Sequence, residues 1–484
     1  MFAKLIIRDE VNVKIEGLEL RDRKTLVDRY KFEIPGARYL PAVRLGRWDG
    51  KVSFFQLGGS TYINLLPEIL PWLVEQGYDI EVDDTRDYRT QFEFQKVTED
   101  SYSHIMWPKG HPQEGQPMRL RDYQPEIINR FFENPQSVQE VATGAGKTVI
   151  TAALSDAVTA YGRSIVIVPN KSLVTQTEKD YINMELDVGV FYGDRKEFGR
   201  QHTICTWQSL NVLLKNTKNH EADITIQEFL EDVVCVIVDE VHMAKADALK
   251  TLLTGVFAQV PLRWGLTGTI PKEDYEAFSL RCSIGEVVGH LKASTLQEAG
   301  HLANCHVNIV QLVDHVEYNN YQSELKYLLE TAGRLDYMAG LVEKIREDGN
   351  TLILVDRVAA GQALTERIKD AVFVSGATKA TDRQDEYDEV ATAHGKVIVA
   401  TYGVAAVGIN IPRIFNLVLV EPGKSFVRVI QSIGRGIRKA EDKDFVQIWD
   451  LTSNCKFAKR HLTKRKQFYR EANYPFTIEK AEWQ

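Results

Sequence analysis

Two series of short, wholly apolar runs, separated by stretches with helical spacing, constrain this chain more than any other feature. The first is "SIVIVPN", "DVGVFYGD", "HTICTW", "VVCVIVDE" and "RWGLTGT"; the second is "TLILVD", "AVFVSG", "KVIVAT", "NLVLVEP" and "DFVQIWD". Uninterrupted apolar runs suit strands buried on both faces, which parallel sheets covered by helices provide. The expected fold is α/β, two tandem doubly wound parallel sheets. At 484 residues the chain is too long for one core. A small α+β domain is expected over 1–95, where "KLIIRDEVNVKIEG" and "KVSFFQLGG" alternate as strands around a helix near 67–76. Pro, Gly and His without periodicity mark 96–117 as a linker, followed by sheet domains over 118–300 and 301–484.

"VATGAGKT" (141–148) lies between an apolar run and the helical "TVITAALSDAV". Gly144 and Gly146, with Thr143 and Ala145 between and beside them, let the backbone aim consecutive N–H groups at a phosphate at a helix start. Lys147 would sit on the β/γ-phosphates, and the Thr148 hydroxyl would ligate Mg²⁺. The usual pattern opens with Gly or Ala, whereas this chain has Val141. In "VIVDEVH", Asp239 and Glu240 leave the carboxyl end of a buried strand, where such sheets bind ligands. Asp239 is expected to hold the metal and Glu240 to orient and deprotonate the attacking water. The second series has no phosphate loop but carries "QSIGRGIRK", with Gln431, Arg435 and Arg438 at helical spacing. Arginines of the second sheet are expected to reach phosphates held by the first.

A net charge of −8 argues against a polyanionic partner unless cations cluster locally. Two clusters exist. Residues 1–60 hold twelve Lys/Arg against eight Asp/Glu, and Arg38, Arg44, Arg47 and Lys51 interleave with Tyr39, Trp48 and Phe54. Either this is a nucleic-acid surface or the rings form a core beneath solvated arginines. The second cluster, "KFAKRHLTKRKQFYR" (456–470), has seven Lys/Arg, including Lys464 and Arg465, and no acid. It reads as a helix whose basic outer face either contacts DNA or is simply solvated. No run is long enough to span a bilayer, and five scattered cysteines without a C-x-x-C pair suggest neither disulfides nor zinc. A cytoplasmic chain is expected. An attached nuclease would need a further carboxylate set; the nearest pattern, Asp314 with Glu324 and Lys326 at the entry to the second sheet's first helix, reads as chance.

"LRDYQ" (120–124), "VATGAGKT", "VPNKSLVTQ" (168–176), "TWQSL" (206–210), "DEVH" (239–242), "LTGT" (266–269), "VIVATYGVAAVGIN" (397–410) and "QSIGRGIR" (431–438) resemble, in order and spacing, the motif series of superfamily 2 DExH helicases, with RecA-like domains. Within it, the small N-terminal domain and compact motor resemble the UvsW family of tailed-phage helicases, which remodel branched recombination and replication DNA. The resemblance implies ATP and Mg²⁺, with Gln124 reading adenine beside Arg121 and Tyr123, and Gly408 near the ribose, although Asn410 replaces the usual Asp. It implies that Asn170, Lys171, Gln208, Ser209 and Thr401 touch one strand's phosphates. His242 would link the hydrolysis site to Gln431, and Thr267 and Thr269 would couple nucleotide state to movement. The implied activity is unwinding or branch migration of forks, Holliday junctions, D-loops or R-loops by a monomeric motor, alongside phage or host replication and recombination proteins. An RNA or DNA–RNA hybrid helicase, and a non-unwinding ATP-switched clamp, are the alternatives.

Overall fold

The computed structural model describes residues 1–86, 91–109, 111, 113–242, 246–378, 380–404, 411, 413–425, 429, 432–434 and 436–483. They divide into two compact units, Met1–Glu140 with Lys147–His290, and Val141–Gly146 with Leu291–Gln484.

The apolar runs of the first series are strands of an eight-stranded sheet in the order Arg195–Lys196, Val188–Tyr192, His202–Thr206, Arg163–Val168, Val233–Asp239, Leu262–Thr267, Gln136–Val141 and Glu286–Leu291. From Val188–Tyr192 through Gln136–Val141 the pairings are parallel, as burial on both faces requires. Arg263, wholly buried, donates to the carbonyls of Leu253, Phe257, Val260 and Ser283 at 2.5–3.3 Å. It thereby satisfies carbonyls at the ends of the helices Ala246–Thr254 and Asp274–Ser283, which would otherwise be orphaned in the interior.

The N-terminal segment forms the sheet Ser60–Tyr62, Asn12–Glu16, Phe2–Ile7, Asp79–Asp84, with the helices Leu20–Arg29 and Leu66–Glu75. It does not close its own core. Phe54 is 1% exposed and packs at 5.3 Å from Phe278 and 5.7 Å from Tyr275, ring centre to ring centre. Lys250 Nζ lies 4.2 Å above the Phe54 ring. Asn12 Nδ2 donates to Thr254 O at 2.9 Å and Asn64 Nδ2 to Arg281 O at 3.0 Å. Residues 1–95 and the first sheet therefore share one compact unit rather than two.

The expected linker over 96–117 is also packed. Val97 exchanges two hydrogen bonds with the Asn129 side chain at 2.9 and 2.8 Å. Tyr102 and Ile105 are buried, and Tyr102 donates to Asp156 at 3.2 Å. Pro and Gly reported the lack of regular structure there. They carried no information about whether the aperiodic apolar side chains find a surface to bury against.

In the second unit a seven-stranded parallel sheet runs Val372–Val374, Val397–Thr401, Thr351–Val355, Asn416–Val420, Phe445–Ser453, Asn304–Leu312, Phe476–Ala481. Asn304–Leu312 and Phe476–Ala481 lie outside the quoted apolar series, and the unit begins at Leu291 rather than at 301. Asp314 is buried against Arg334 and Ser453, while Glu324 accepts from the backbone N–H groups of Phe457 and Ala458. Both acids hold the fold together, which removes them as a nuclease set. The basic helix Lys456–Glu471 buries Leu462 and Phe468 and exposes Lys464. The outer face is basic, with Lys456, Lys459, Arg460, Lys464 and Arg470 exposed, but Arg465 is not part of it. It is fully buried, bidentate to Asp450 at 2.8 and 2.9 Å, with a third bond to Gly423 O at 2.8 Å. Its position three residues from both Leu462 and Phe468 puts it on their buried stripe. Among the described residues no helix is long and apolar enough to cross a membrane.

If residues 1–95 and the first sheet share a core, Phe54→Ala should destabilise the first unit by about 3–5 kcal/mol, as Phe truncations in cores do. Denaturant unfolding followed at the N-terminal segment and at Trp264 should show both probes shifting together.

Candidate active site

The first sheet brings the chemistry-bearing ends together by register alone. Asp239 pairs with Leu266, and Thr267 with Glu140, so the ends of three neighbouring parallel strands finish level. Beyond them lie the loop leading to Lys147, the acidic pair and Thr267. In the loop, Gly144 and Gly146 have φ of +90° and +80°, which side chains with a Cβ rarely adopt.

Lys147 and Thr148 open the helix Lys147–Val158 and are both buried. Lys147 Nζ lies 2.8 Å from Glu240 Oε1. The Thr148 hydroxyl donates to Asp180 on the helix Lys171–Asn183. Burial pushes the Asp180 carboxyl above the usual range, while the bond from Thr148 pulls it back. Glu240 has φ +53°, an uncommon conformation for a residue with a side chain. Its Oε2 accepts from Gly268 N–H at 3.4 Å, and Asp239 Oδ1 accepts from Glu240 N–H at 2.8 Å.

His242 ties the acidic motif to the neighbouring strand end. The Thr267 hydroxyl donates to Thr269 O at 2.7 Å, so its lone pairs accept from Thr269 N–H at 3.2 Å and from His242 Nδ1 at 2.6 Å. That pattern puts the imidazole proton on Nδ1.

Gln124 is buried, and its Oε1 accepts from Arg121 N–H at 2.9 Å, while the Arg121 guanidinium donates to Tyr123 Oη at 2.9 Å. Asn170 caps the helix Lys171–Asn183, accepting from Leu173 N–H at 3.0 Å. Thr206 caps the helix Trp207–Lys218, and its hydroxyl lies 2.9 Å from that of Ser209. Thr206 pairs with Val168 across the parallel strands, and Gln208 Nε2 donates to Pro169 O at 3.2 Å. Two helix N-termini therefore emerge side by side, with Lys171 exposed at one of them. Adjacent helix starts offer free N–H groups and positive dipole ends to phosphates.

In the second unit Thr401 ends the strand Val397–Thr401. Arg438 forms a backbone bridge with Leu302, and Lys443, which the sequence reading missed, donates to the carbonyls of Gly436 at 2.5 Å and Arg438 at 2.7 Å. Burial, reinforced by Arg438, pushes the Lys443 ammonium down to about 7. Gly408, Asn410, Gln431 and Arg435 lie outside the described residues. Asp180 was missed as well. Its only sequence signal is proximity to the buried stripe Val174, Thr177, Tyr181.

Of the N-terminal cluster, Phe54 is core, Trp48 is half-buried with Nε1 donating to Lys51 O at 3.0 Å, and Arg44, Arg47 and Lys51 are exposed. Among the described residues none of these three side chains forms an ion pair; Asp49, which accepts from the Lys51 backbone N–H at 3.0 Å, pairs instead with Lys31. Tyr39 is 67% exposed beneath the Arg38 guanidinium.

A phosphate loop, an acid pair and a coupled His–Thr contact on one parallel sheet, followed by a second parallel sheet with an arginine motif, define a two-sheet nucleotide-driven motor. Two family models match in tandem, "Type III restriction enzyme, res subunit" over 117–272 and "Helicase conserved C-terminal domain" over 333–440, together more than half of the chain. The chain is a superfamily 2 helicase of the DExH type, an ATP-dependent motor enzyme that binds nucleic acid. It is similar to the ATP-dependent DNA helicase uvsW of Enterobacteria phage T4, with 23% identity over 97% of this chain and 94% of that one. It is also 23% identical to the DNA 3'-5' helicase XPB of Mycobacterium tuberculosis, over 77% of this chain and 68% of that one. The putative HsdR fragment of a type I restriction enzyme from Vibrio vulnificus YJ016 shares the fold, with a TM-score of 0.56 and 16% identity over 80% of this chain and 72% of that one.

Glu240→Gln keeps the side chain's size but removes its ability to take a proton, and it releases Lys147 from its ion pair. Hydrolysis should fall by about 10²–10⁴-fold while nucleotide affinity holds or rises. Steady-state phosphate release and equilibrium binding of a fluorescent nucleotide would measure the two separately.

Proposed function

We propose that this chain is an ATP-driven DNA helicase or translocase that unwinds or branch-migrates branched DNA, including forks, Holliday junctions, D-loops and R-loops, in recombination, repair and replication. The observation that carries the reading is the exposed cluster Arg44, Arg47 and Lys51, which has no side-chain ion pair among the described residues, on a segment in the same compact unit as Lys147, Asp239 and Glu240. A motor tracking one strand already has the paired helix starts at Asn170–Lys171 and Gln208–Ser209, with Thr401 on the second sheet. A second cationic face, in the same compact unit as the first sheet, suits a duplex arm beside the strand being pulled. Likeness to the phage helicase over nearly the whole chain, N-terminal segment included, supports the same reading.

In this mechanism Lys147 leaves Glu240 for the β/γ-phosphates, and the freed Glu240 orients and deprotonates the attacking water. His242 and Thr267 pass the state of that site to the neighbouring strand end. Thr148 and Asp239 are hard oxygen donors, and among the described residues no cluster of three or more His, Cys, Asp or Glu exists. That donor set fits Mg²⁺, which takes most of its shell from water and phosphate and neutralises charge on the phosphate oxygens. Arg438 stabilises charge on the transferred phosphoryl group, and Lys443 fixes its turn. Phosphate-dominated contacts make the grip largely indifferent to sequence.

Replacing Arg44, Arg47 and Lys51 together by Ala should spare most single-strand-stimulated ATPase activity and weaken junction branch migration. The log–log salt slope of junction binding should become shallower by up to about 3. Equal loss on single strands and junctions would assign the cluster to general grip, and preferential stimulation by RNA would replace the DNA reading. Arg438→Ala should slow hydrolysis by about 10³-fold or more with ATP affinity much less affected, as single-turnover kinetics would show.

A further inference from the structure

Beside the acidic pair Asp239 and Glu240 the site has a third carboxylate, Asp180, which no helicase motif assigns. Thr148 donates its one hydroxyl proton to Asp180, which stands on a different helix, four residues beyond "VPNKSLVTQ". A hydroxyl has one proton and two lone pairs. With the proton held by Asp180, both lone pairs of Thr148 Oγ1 are turned away from that helix and left available to a cation. Thr148 is 7% exposed, so the side chain has little room to reorient. A carboxylate accepting the proton also raises electron density on the oxygen, as outer partners of metal ligands do.

We propose that Asp180 is a positioning residue for the divalent cation that accompanies ATP: it orients the Thr148 hydroxyl and tunes it as a ligand without touching the nucleotide. The proposal rests on the reading of Lys147 and Thr148 as the ATP site, and it extends that reading by one residue. Resting Lys147 and resting Thr148 then differ in kind. Lys147 must abandon Glu240 to meet a phosphate, whereas Thr148 keeps Asp180 while it gains the ion, because donor and acceptor sides of one hydroxyl serve both.

A purely structural role is the competing explanation, since Asp180 and its neighbour Tyr181 both tie this helix to Lys147–Val158. Tyr181 Oη donates to Thr151 O at 3.2 Å and lies 2.5 Å from Ser155 Oγ. Tyr181→Phe therefore loosens the same helix pair without changing Thr148 and serves as the control.

The experiment uses the full chain and a fluorescent ADP, with Mg²⁺ titrated at fixed nucleotide and a parallel titration in EDTA. Asp180→Asn and Asp180→Ala should raise the half-saturating Mg²⁺ concentration by about 10–100-fold while leaving metal-free ADP affinity within about 2-fold, the small change expected when no nucleotide contact is lost. Tyr181→Phe should leave the Mg²⁺ midpoint alone, and in a Thr148→Ala background Asp180→Asn should add nothing further. An unchanged midpoint in both Asp180 variants, an equal shift in Tyr181→Phe, or an equal loss of metal-free binding would each overturn the proposal. Wild-type ADP affinity retained by Lys147→Ala would instead overturn the reading of the ATP site on which it rests.

Discussion

A parallel sheet buried on both faces leaves only its strand ends for polar chemistry, and the rest of this molecule follows from that constraint. The interior of the first sheet is mostly apolar side chains and backbone hydrogen bonds, and a charge buried there, Arg263, is held by four carbonyls. Asp239 and Thr267 carry their polar side chains where strands stop. Register decides which of these ends become neighbours. One slipped pairing between Val233–Asp239 and Leu262–Thr267 would separate His242 from Thr267 and dissolve the coupling between the two motifs.

Electrostatically, the site is held in a resting arrangement by its own members. Lys147 and Glu240 are about 9% and 10% exposed, so each ion shields the other from an uncompensated burial cost. The pair is worth having only until a phosphate supplies a better anion for the lysine. In the proposed mechanism, the same exchange would free Glu240 for water when nucleotide is in place, which would make binding and activation of the base one event. His242, protonated on Nδ1, ties the acidic loop to Thr267 and gives the Glu240 region a second anchor that does not depend on the lysine.

Buried charge in the second unit serves a different purpose. Arg465 with Asp450, and Arg334 with Asp314 and Glu421, are internal ion pairs with hydrogen bonds completing each group. Glu421 sits at φ +43° just past the strand Asn416–Val420, its carboxyl pushed up to about 7 mainly by burial. Arg465 bonds both to Asp450 in the sheet and to Gly423 O in the loop after Glu421, so the basic helix and that loop are fixed to one another. A run rich in Lys and Arg is therefore not equivalent to a basic surface. Each cation's register against the apolar stripe decides whether it meets solvent or a carboxylate.

The two parallel sheets, the glycine-dependent loop, and the placement of Asp239 and Glu240 at a strand end were legible in the order of residues alone. Those features depend on side-chain period and on backbone freedom within a few residues, which a linear string records. Tertiary structure alone decided that Phe54 and Lys250 meet, that 96–117 is packed rather than free, that Arg465 is internal, and that Thr148 finds Asp180. Each of these joins residues from separate elements. Whether an aromatic ring, an arginine or an aspartate becomes core, surface or site is settled by which foreign face it packs against, and local periodicity contains no trace of that partner.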